Sequence, residues 1–373
     1  MIKYKNSRVG LFAVSLLHFV PQHAYGVPLL SLTQLNLFTP LNFACKKSAQ
    51  IFRLIRAETF IPQSLHRTML IFFEKIFIIE TMKISEILKS KKLTFSFEVF
   101  PPKQQGNFDS VAQTVTNLAE LSPDWISVTY GAGGATQSNT IEISKFIQKQ
   151  NLSALTHLTC INTTKENLED TLQKMKEAGV ENILALRGDI PNGVTFEQAT
   201  QGGYKHASDL VPLLKQKGFC VGGACYPEGH IESANRIDDI ERLKFKVDAG
   251  VDFLTTQMFF DNDMLYSFLY RMESSGIHLP VFPGIMPITN VAQIPKMIRL
   301  SNAYIPKKLL AICDRFGTSP DALRQAGIAY ATDQIIDLIS NGIRGIHIYT
   351  MNKSETAKSI LANIRDIISA SNQ

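Results

Sequence analysis

This chain lacks the marks of a disulfide framework, a metal centre or a membrane span. Five cysteines are spread over 373 residues: Cys45, Cys160, Cys220, Cys225 and Cys313. The number is odd and no pair has C-x-x-C spacing, which argues against structural disulfides and a zinc site and for a reducing compartment. Cys160 and Cys225 fall in predicted strands, where a thiol is a small core residue rather than a nucleophile. No His/Asp/Glu cluster has metal-ligand spacing, there is no nucleophile elbow, and no lysine at a predicted strand end suggests a Schiff base. No G-x-G-x-x-G follows a strand, so a dinucleotide would need another mode of binding. Residues 1–82 contain no aspartate at all.

That last absence reflects an uneven charge. The whole chain carries +5, yet residues 1–82 hold nine Lys or Arg against Glu58, Glu74 and Glu80, a surplus of +6. The remainder is therefore near neutral, at −1, and offers no basis for nucleic-acid binding. With 45% apolar and 19% charged residues, the chain suits a globular protein with a sizeable core.

Residues 1–82 do not fit the pattern of the rest. Lys3, Lys5 and Arg8 precede a mostly apolar run from Val9 to Val20, then Pro21 and Ala24-Tyr25-Gly26. That order resembles a secretory signal, and the run is too short for a membrane span. Three readings compete: a targeting segment, an unstructured or membrane-touching extension, or upstream sequence included by a misplaced start. We favour the third, because Met82 followed by Lys83-Ile84-Ser85-Glu86-Ile87-Leu88 looks like a fresh N-terminus entering an amphipathic helix.

From Leu93 onward, short β-rich runs alternate with amphipathic helix-length runs. The predicted strands are Leu93–Phe100, Trp125–Tyr130, Ser153–Cys160, Asn182–Asp189, Val221–Glu228, Phe253–Phe260, Val281–Ile288 and Gly345–Met351. Apolar residues between them recur at helical spacing, as in Ile237, Ile240, Leu243 and Val247. Gly179, Gly218, Gly250 and Gly276 sit just past predicted helix ends, where a left-handed cap favours glycine. Eight such units over residues 83–373 match a (β/α)8 TIM barrel. An extra helical segment, with one helix from about Asp321 to Ile339, separates strands seven and eight. A doubly wound open sheet is the alternative.

In such a barrel the C-terminal strand ends form the active site. The stretch Asn182–Leu186, apolar after its first residue, ends in Arg187-Gly188-Asp189, and charges at such a tip are costly unless paired or facing a site. Glu98 lies between apolar residues, where its charged form is disfavoured, the condition for a general acid; the bland reading pairs it with a core arginine. His157, alone in an apolar strand, reads first as a satisfied core histidine. Tyr130-Gly131-Ala132-Gly133-Gly134 allows close backbone approach by a ligand. Gln257 offers an amide for reading a ligand edge, and Phe259 and Phe260 read as core. This polar set suits a large organic cofactor with one acid for proton transfer.

Ser96-Phe97-Glu98-Val99-Phe100-Pro101-Pro102-Lys103 resembles the opening motif of the methylenetetrahydrofolate reductase family. In the same order follow Val128-Thr129-Tyr130-Gly131-Ala132, His157-Leu158-Thr159-Cys160, Leu186-Arg187-Gly188-Asp189, Ala224-Cys225-Tyr226-Pro227-Glu228-Gly229-His230, Thr256-Gln257-Met258-Phe259-Phe260-Asp261 and Pro283-Gly284-Ile285-Met286-Pro287. The resemblance covers about Lys83 to Lys353 and beyond, and none of residues 1–82. It implies a cytoplasmic, homo-oligomeric flavoprotein feeding methionine synthesis. NADH, or NADPH, would reduce non-covalent FAD, and the flavin would then pass hydride to 5,10-methylenetetrahydrofolate to give 5-methyltetrahydrofolate. By that resemblance Glu98 is the general acid and Asp189 stabilises the folate cation. FAD would be held by Tyr130, Ala132, His157, Arg187, Gly188, Asp189, Tyr226, His230, Asp239 and Lys246. Thr129 would touch NADH, Gln257 both nicotinamide and folate, and Gln293 the folate.

Several positions depart from the bacterial pattern. Lys353 stands for an arginine expected near the folate. Arg242 and Phe245 replace an asparagine and an arginine expected by the FAD phosphates and adenosine, with Arg242 as the compensating cation. Met258 and Met297 stand for phenylalanines. The resemblance includes no room for a C-terminal regulatory domain, so inhibition by S-adenosylmethionine is not expected. Two other classes remain as alternatives: a pterin-binding transferase on the same barrel, and a barrel that binds folate without catalysis.

Overall fold

The computed structural model describes residues 82–102, 108–130, 134–191, 193–301 and 303–373. Its organising feature is a run of short parallel strands: β1 Thr94–Val99, β2 Trp125–Val128, β3 Ser153–Thr159, β4 Asn182–Leu186, β5 Cys220–Cys225, β6 Phe253–Thr256, β7 Val281–Phe282, β8 Gly284–Ile285 and β9 Gly345–Tyr349. They lie in the order β7-β6-β5-β4-β3-β2-β1-β9-β8. Pro283 divides the seventh predicted strand into β7 and β8. The first half pairs with β6 and the second with β9, so one interrupted strand closes the ring. A proline offers no N–H to a ladder, but its carbonyl still accepts from the His347 amide at 2.9 Å. The architecture is a (β/α)8 TIM barrel with added helices before the last strand.

Alternation along each strand separates two environments. Phe95, Phe97 and Val99 of β1, Ile126 and Val128 of β2, and Ile346 and Ile348 of β9 pack outward in the main core with the helices. The intervening residues point inward. At the N-terminal end of the barrel this inner face is apolar: Trp125, Leu155, Leu184, Phe253 and Phe282 pack on Ile84 and Ile87 of the short helix Ile84–Ser90. Asn182 fixes that helix, accepting from the Ile84 amide at 2.7 Å and donating to the Met82 carbonyl at 3.2 Å. At the C-terminal end the inner face turns polar, with Ser96, Glu98, Ser127, His157 and His347 all buried.

The four glycines expected as caps follow their helices with φ between 70° and 110°. The added segment contains helices Ile294–Ser301, Lys307–Phe316 and Pro320–Ser340, which build a second cluster around Phe260, Met286, Ile288 and Leu309. Strand pairing stops earlier than the sequence pattern suggests. The fifth strand ends at Cys225 rather than Glu228, and the sixth at Thr256 rather than Phe260. The chain leaves the ladder where Tyr226-Pro227 and Gln257 begin, so the motif residues sit in the loops above the barrel.

Candidate active site

Glu98 lies at the floor of a cavity of about 700 Å³ at the C-terminal end of the barrel. It is 6% exposed. Three polar groups crowd one carboxylate oxygen: Ser127 Oγ at 3.5 Å, His157 Nε2 at 3.5 Å and His347 Nε2 at 3.6 Å. Among the described residues no core arginine, the partner of the bland reading, faces Glu98; histidines stand there.

His157 is not a satisfied core histidine. Its Nε2 is buried without a hydrogen-bond partner, since 3.5 Å to Glu98 is too long for a normal N–H···O bond. Burial pushes its pKa down to about 4, with Glu98 opposing the fall and His347 adding to it. The ring is therefore neutral near pH 7, and the Glu98–His157 approach is not an ion pair.

The turn after β4 places Arg187, Gly188 and Asp189 along the cavity wall. The Arg187 carbonyl accepts from the amides of Cys160 and Ile161, both at 3.2 Å, which ties the turn to the end of β3. Gly188 adopts φ +92°, and a Cβ there would sit 3.0 Å from the Thr159 side chain. Asp189 is exposed, at the mouth. The Arg187 guanidinium grips both oxygens of Glu232, the Nη2 contact at 2.7 Å, which holds the Glu232 carboxyl below its ordinary range.

A second cavity of about 560 Å³ shares Leu186, Arg187, Ala224, Tyr226 and His230 with the first. The helix Arg236–Asp248 supplies its far wall. Asp239 and Lys246, two turns apart, share one face of it. Asp239 is buried and accepts from the His230 amide at 2.9 Å and Ser233 Oγ at 3.1 Å, shaping the loop after β5. Lys246 Nζ donates to the Ala224 carbonyl at 2.6 Å; desolvation lowers its pKa, with the nearby Asp239 opposing the fall. Arg242 pairs with Asp238 at 2.9 Å and Phe245 is 70% exposed, both on the rim.

Of the expected residues, Glu98, Thr129, Tyr130, His157, Arg187, Gly188, Asp189, Tyr226, His230 and Gln257 meet in the first cavity. Asp239, Arg242 and Lys246 line the second. Ala132 lies outside the described residues. Gln293, in the turn Val291–Gln293, and Lys353, whose Nζ donates to Thr289 at 3.2 Å, are not among the lining residues. Met297 is 4% exposed within the second cluster, against which Met258 packs. Phe259 and Phe260 are core, as expected. Burial pushes the Cys160 thiol up to about 12 and raises Cys225 further, consistent with unreactive core thiols.

Sequence reasoning passed over His347, Tyr349, His206 and Glu232. The first two were legible in the alternation Gly345-Ile346-His347-Ile348-Tyr349, which turns His347 and Tyr349 inward with Glu98. Tyr349 donates to the Thr256 carbonyl at 2.7 Å, and burial raises its pKa well above the ordinary value. His206 and Glu232, which line the second cavity, stand in loops with no periodicity to mark them.

Comparison with known proteins agrees with this geometry. A family model described as methylenetetrahydrofolate reductase matches residues 83–365. Methylenetetrahydrofolate reductase (NADH) 1 of Zea mays is 34% identical over 297 residues, covering 76% of this chain and 50% of its own. The 5,10-methylenetetrahydrofolate reductase of Escherichia coli (strain K12) is 34% identical over 271 residues, covering 72% of this chain and 90% of its own. The chain thus spans about half the length of the plant relative and about nine tenths of the bacterial one. A solved structure from Clostridium thermocellum, described as an uncharacterized protein that binds two copies of 5-methyl-5,6,7,8-tetrahydrofolic acid, superposes with a TM-score of 0.53 at 12% identity. It covers 78% of this chain and 100% of its own, a likeness of fold. Since the match runs unbroken through every strand whose end builds the two cavities, the chain belongs to the methylenetetrahydrofolate reductase family.

Proposed function

We propose that this chain reduces 5,10-methylenetetrahydrofolate to 5-methyltetrahydrofolate with NADH, through FAD held in the two joined cavities. The observation that carries this reading is Glu98, a buried carboxyl at the floor of a large cavity rimmed by Asp189 and Gln257. NADPH is the second candidate donor.

The residues present fit a flavin dinucleotide. Lys246 is a half-buried cation that a diphosphate would neutralise, and Arg187, once released from Glu232, would add a planar fork suited to phosphate. His157 keeps an orphaned buried nitrogen beside the Glu98 carboxyl. The glycine turn at Gly188 keeps the wall close to Thr159. Tyr130, Tyr226, His230, Asp239 and Arg242, with Ala132, complete the proposed cradle. When bound, the flavin supplies hydride transfer between nicotinamide and folate.

The chain's own residues hold the proton and the charge. Glu98, as the acid, gives its proton to the nitrogen that leaves the one-carbon unit when the folate ring opens. Asp189, at the mouth, stabilises the cation that results. Gln257 donates and accepts, so it serves nicotinamide and folate in turn; Thr129 contacts the nicotinamide. Gln293 and Lys353, beyond the cavity wall, meet only the outer part of the folate. The catalytic unit is residues 83–373, and we place it in the cytoplasm as a homo-oligomer.

The test is an anaerobic spectrum. Flavin bands should bleach with NADH and return on adding 5,10-methylenetetrahydrofolate. Glu98→Gln should abolish the return and leave the bleaching largely intact. A colourless protein that cannot be reconstituted with FAD would overturn the reading, and a pterin-binding transferase would then be favoured.

A further inference from the structure

Arg187 is bound to a carboxylate that the proposed function leaves without a role. Of the residues that the two cavities share, it is the one with a permanent positive charge. Its Nη1 and Nη2 donate to the two oxygens of Glu232, Nη2 at 2.7 Å, and its Nε faces the Gly188 carbonyl at 3.3 Å. The forked edge of the guanidinium is therefore taken. Among the described residues, the Glu232 carboxylate accepts from Arg187 alone. The Arg187 side chain is 19% exposed and that of Glu232 50%.

Both backbones are fastened without this pair. On either side of Glu232, the His230 amide and Ser233 Oγ donate to the buried Asp239. The Ala234 amide donates to Asp238 at 2.9 Å, and the Glu232 amide to His230 Nδ1 at 3.1 Å. The Arg187 carbonyl is tied to the end of β3. The pair can thus open by rotation of one half-exposed side chain, with the loop left in place. We infer that Glu232 is a displaceable counter-ion of the Arg187 fork, released when a ligand's diphosphate takes that fork. A planar fork cannot bind a carboxylate and a diphosphate along one edge at the same time. The diphosphate, with the greater charge, takes the edge, and the Glu232 carboxylate turns to solvent. Glu232 therefore sets the affinity of the cavity for the dinucleotide by competing for its cation.

The inference rests on the proposed function for the identity of the ligand, and its test separates the two. Full-length protein stripped of flavin is titrated with FAD, with riboflavin, and with ADP, which carries a diphosphate and no flavin. Glu232→Gln should tighten FAD about fivefold, the upper end for a partly exposed ion pair, and ADP by a like factor. Riboflavin, with no phosphate, should bind both chains within about twofold. Loss of a nearby negative charge favours any anion, so the gain must run through Arg187. In an Arg187→Met background, Glu232→Gln should change FAD affinity by less than about twofold. Arg187→Lys, which keeps a cation and loses the fork, serves if the methionine variant fails to fold, and the gain should shrink there too. Unchanged or looser FAD binding in Glu232→Gln would make Glu232 a bystander or a support for Arg187, and would overturn the inference. A gain that persists without Arg187 would overturn it as well. If neither chain takes up FAD or riboflavin, the proposed function fails. The counter-ion then stands if ADP tightens through Arg187 in the same way, and falls if it does not.

Discussion

His157 shows how burial converts a titratable side chain into a pH-dependent term in stability. In the unfolded chain its imidazole takes a proton near 6.5; in the fold it does so only near 4, because the charged form is desolvated. Between those values the unfolded chain binds the extra proton, so this contribution to stability is intact above about 6.5 and is lost as the pH falls to about 4. A gap of that size corresponds to about 3 kcal/mol. Glu228 acts in the opposite sense. Burial pushes its carboxyl up to about 7 against the opposing hydrogen bond from the Tyr304 amide at 2.6 Å. Its contribution is present at low pH and is lost as the pH rises from the ordinary carboxylate range to about 7. The wild-type profile therefore mixes the two. Denaturant unfolding of wild type and His157→Gln across pH 4 to 7 isolates the first: the wild type should lose about 3 kcal/mol more than the variant on acidification. Parallel profiles would show that His157 titrates normally in the fold.

Helix Pro320–Ser340 shows the same close fit for a whole element. It crosses the exit of the interrupted seventh strand at Gly327, where a Cβ would lie 1.8 Å from the Ile288 carbonyl oxygen. No side-chain rotation relieves a contact with backbone, so Gly327→Ala must push the helix away. It should cost about 1–3 kcal/mol or more by overpacking, read as a lowered denaturant midpoint; a midpoint within error of wild type would mean that the helix is not seated there. The sequence pattern showed this helix almost to its ends, and all eight strand positions, because apolar periodicity is a local property. What it could not show was Pro283 splitting the seventh strand between two neighbours, since pairing partners are set by closure of the ring. The site divides the same way. Glu98, Arg187 and Asp189 were legible as charges at apolar strand ends. The Arg187–Glu232 pair was not, because it joins two loops 45 positions apart. His347 was readable in principle, but only once the inner face of β9 was known to meet that of β1.

For the whole molecule, the question is how much of the chain the catalytic unit needs. The barrel is closed at its N-terminal end by Ile84 and Ile87, buried among Trp125, Leu155, Phe253 and Phe282. Among the described residues, the first backbone group gripped at that end is the Met82 carbonyl, which accepts from Ser153 Oγ at 2.8 Å and from the Asn182 side-chain amide. The family match begins one residue later, at 83. A chain started at Met82 keeps every one of these contacts, and it sheds the nine cations that make the full sequence basic. It should therefore unfold at the same denaturant concentration as residues 82–373 of the full chain and bind FAD with the same affinity. Removing the plug as well, by starting at Leu93, deletes the two buried isoleucines and uncovers the core layer beneath them. Each isoleucine is worth about 1.5–3 kcal/mol when fully buried, so this shorter chain should be less stable by several kcal/mol. Comparing the two truncations places the boundary. If the Met82 start loses FAD or stability as the Leu93 start does, then residues 1–81 contribute to the catalytic unit and the proposed boundary is wrong.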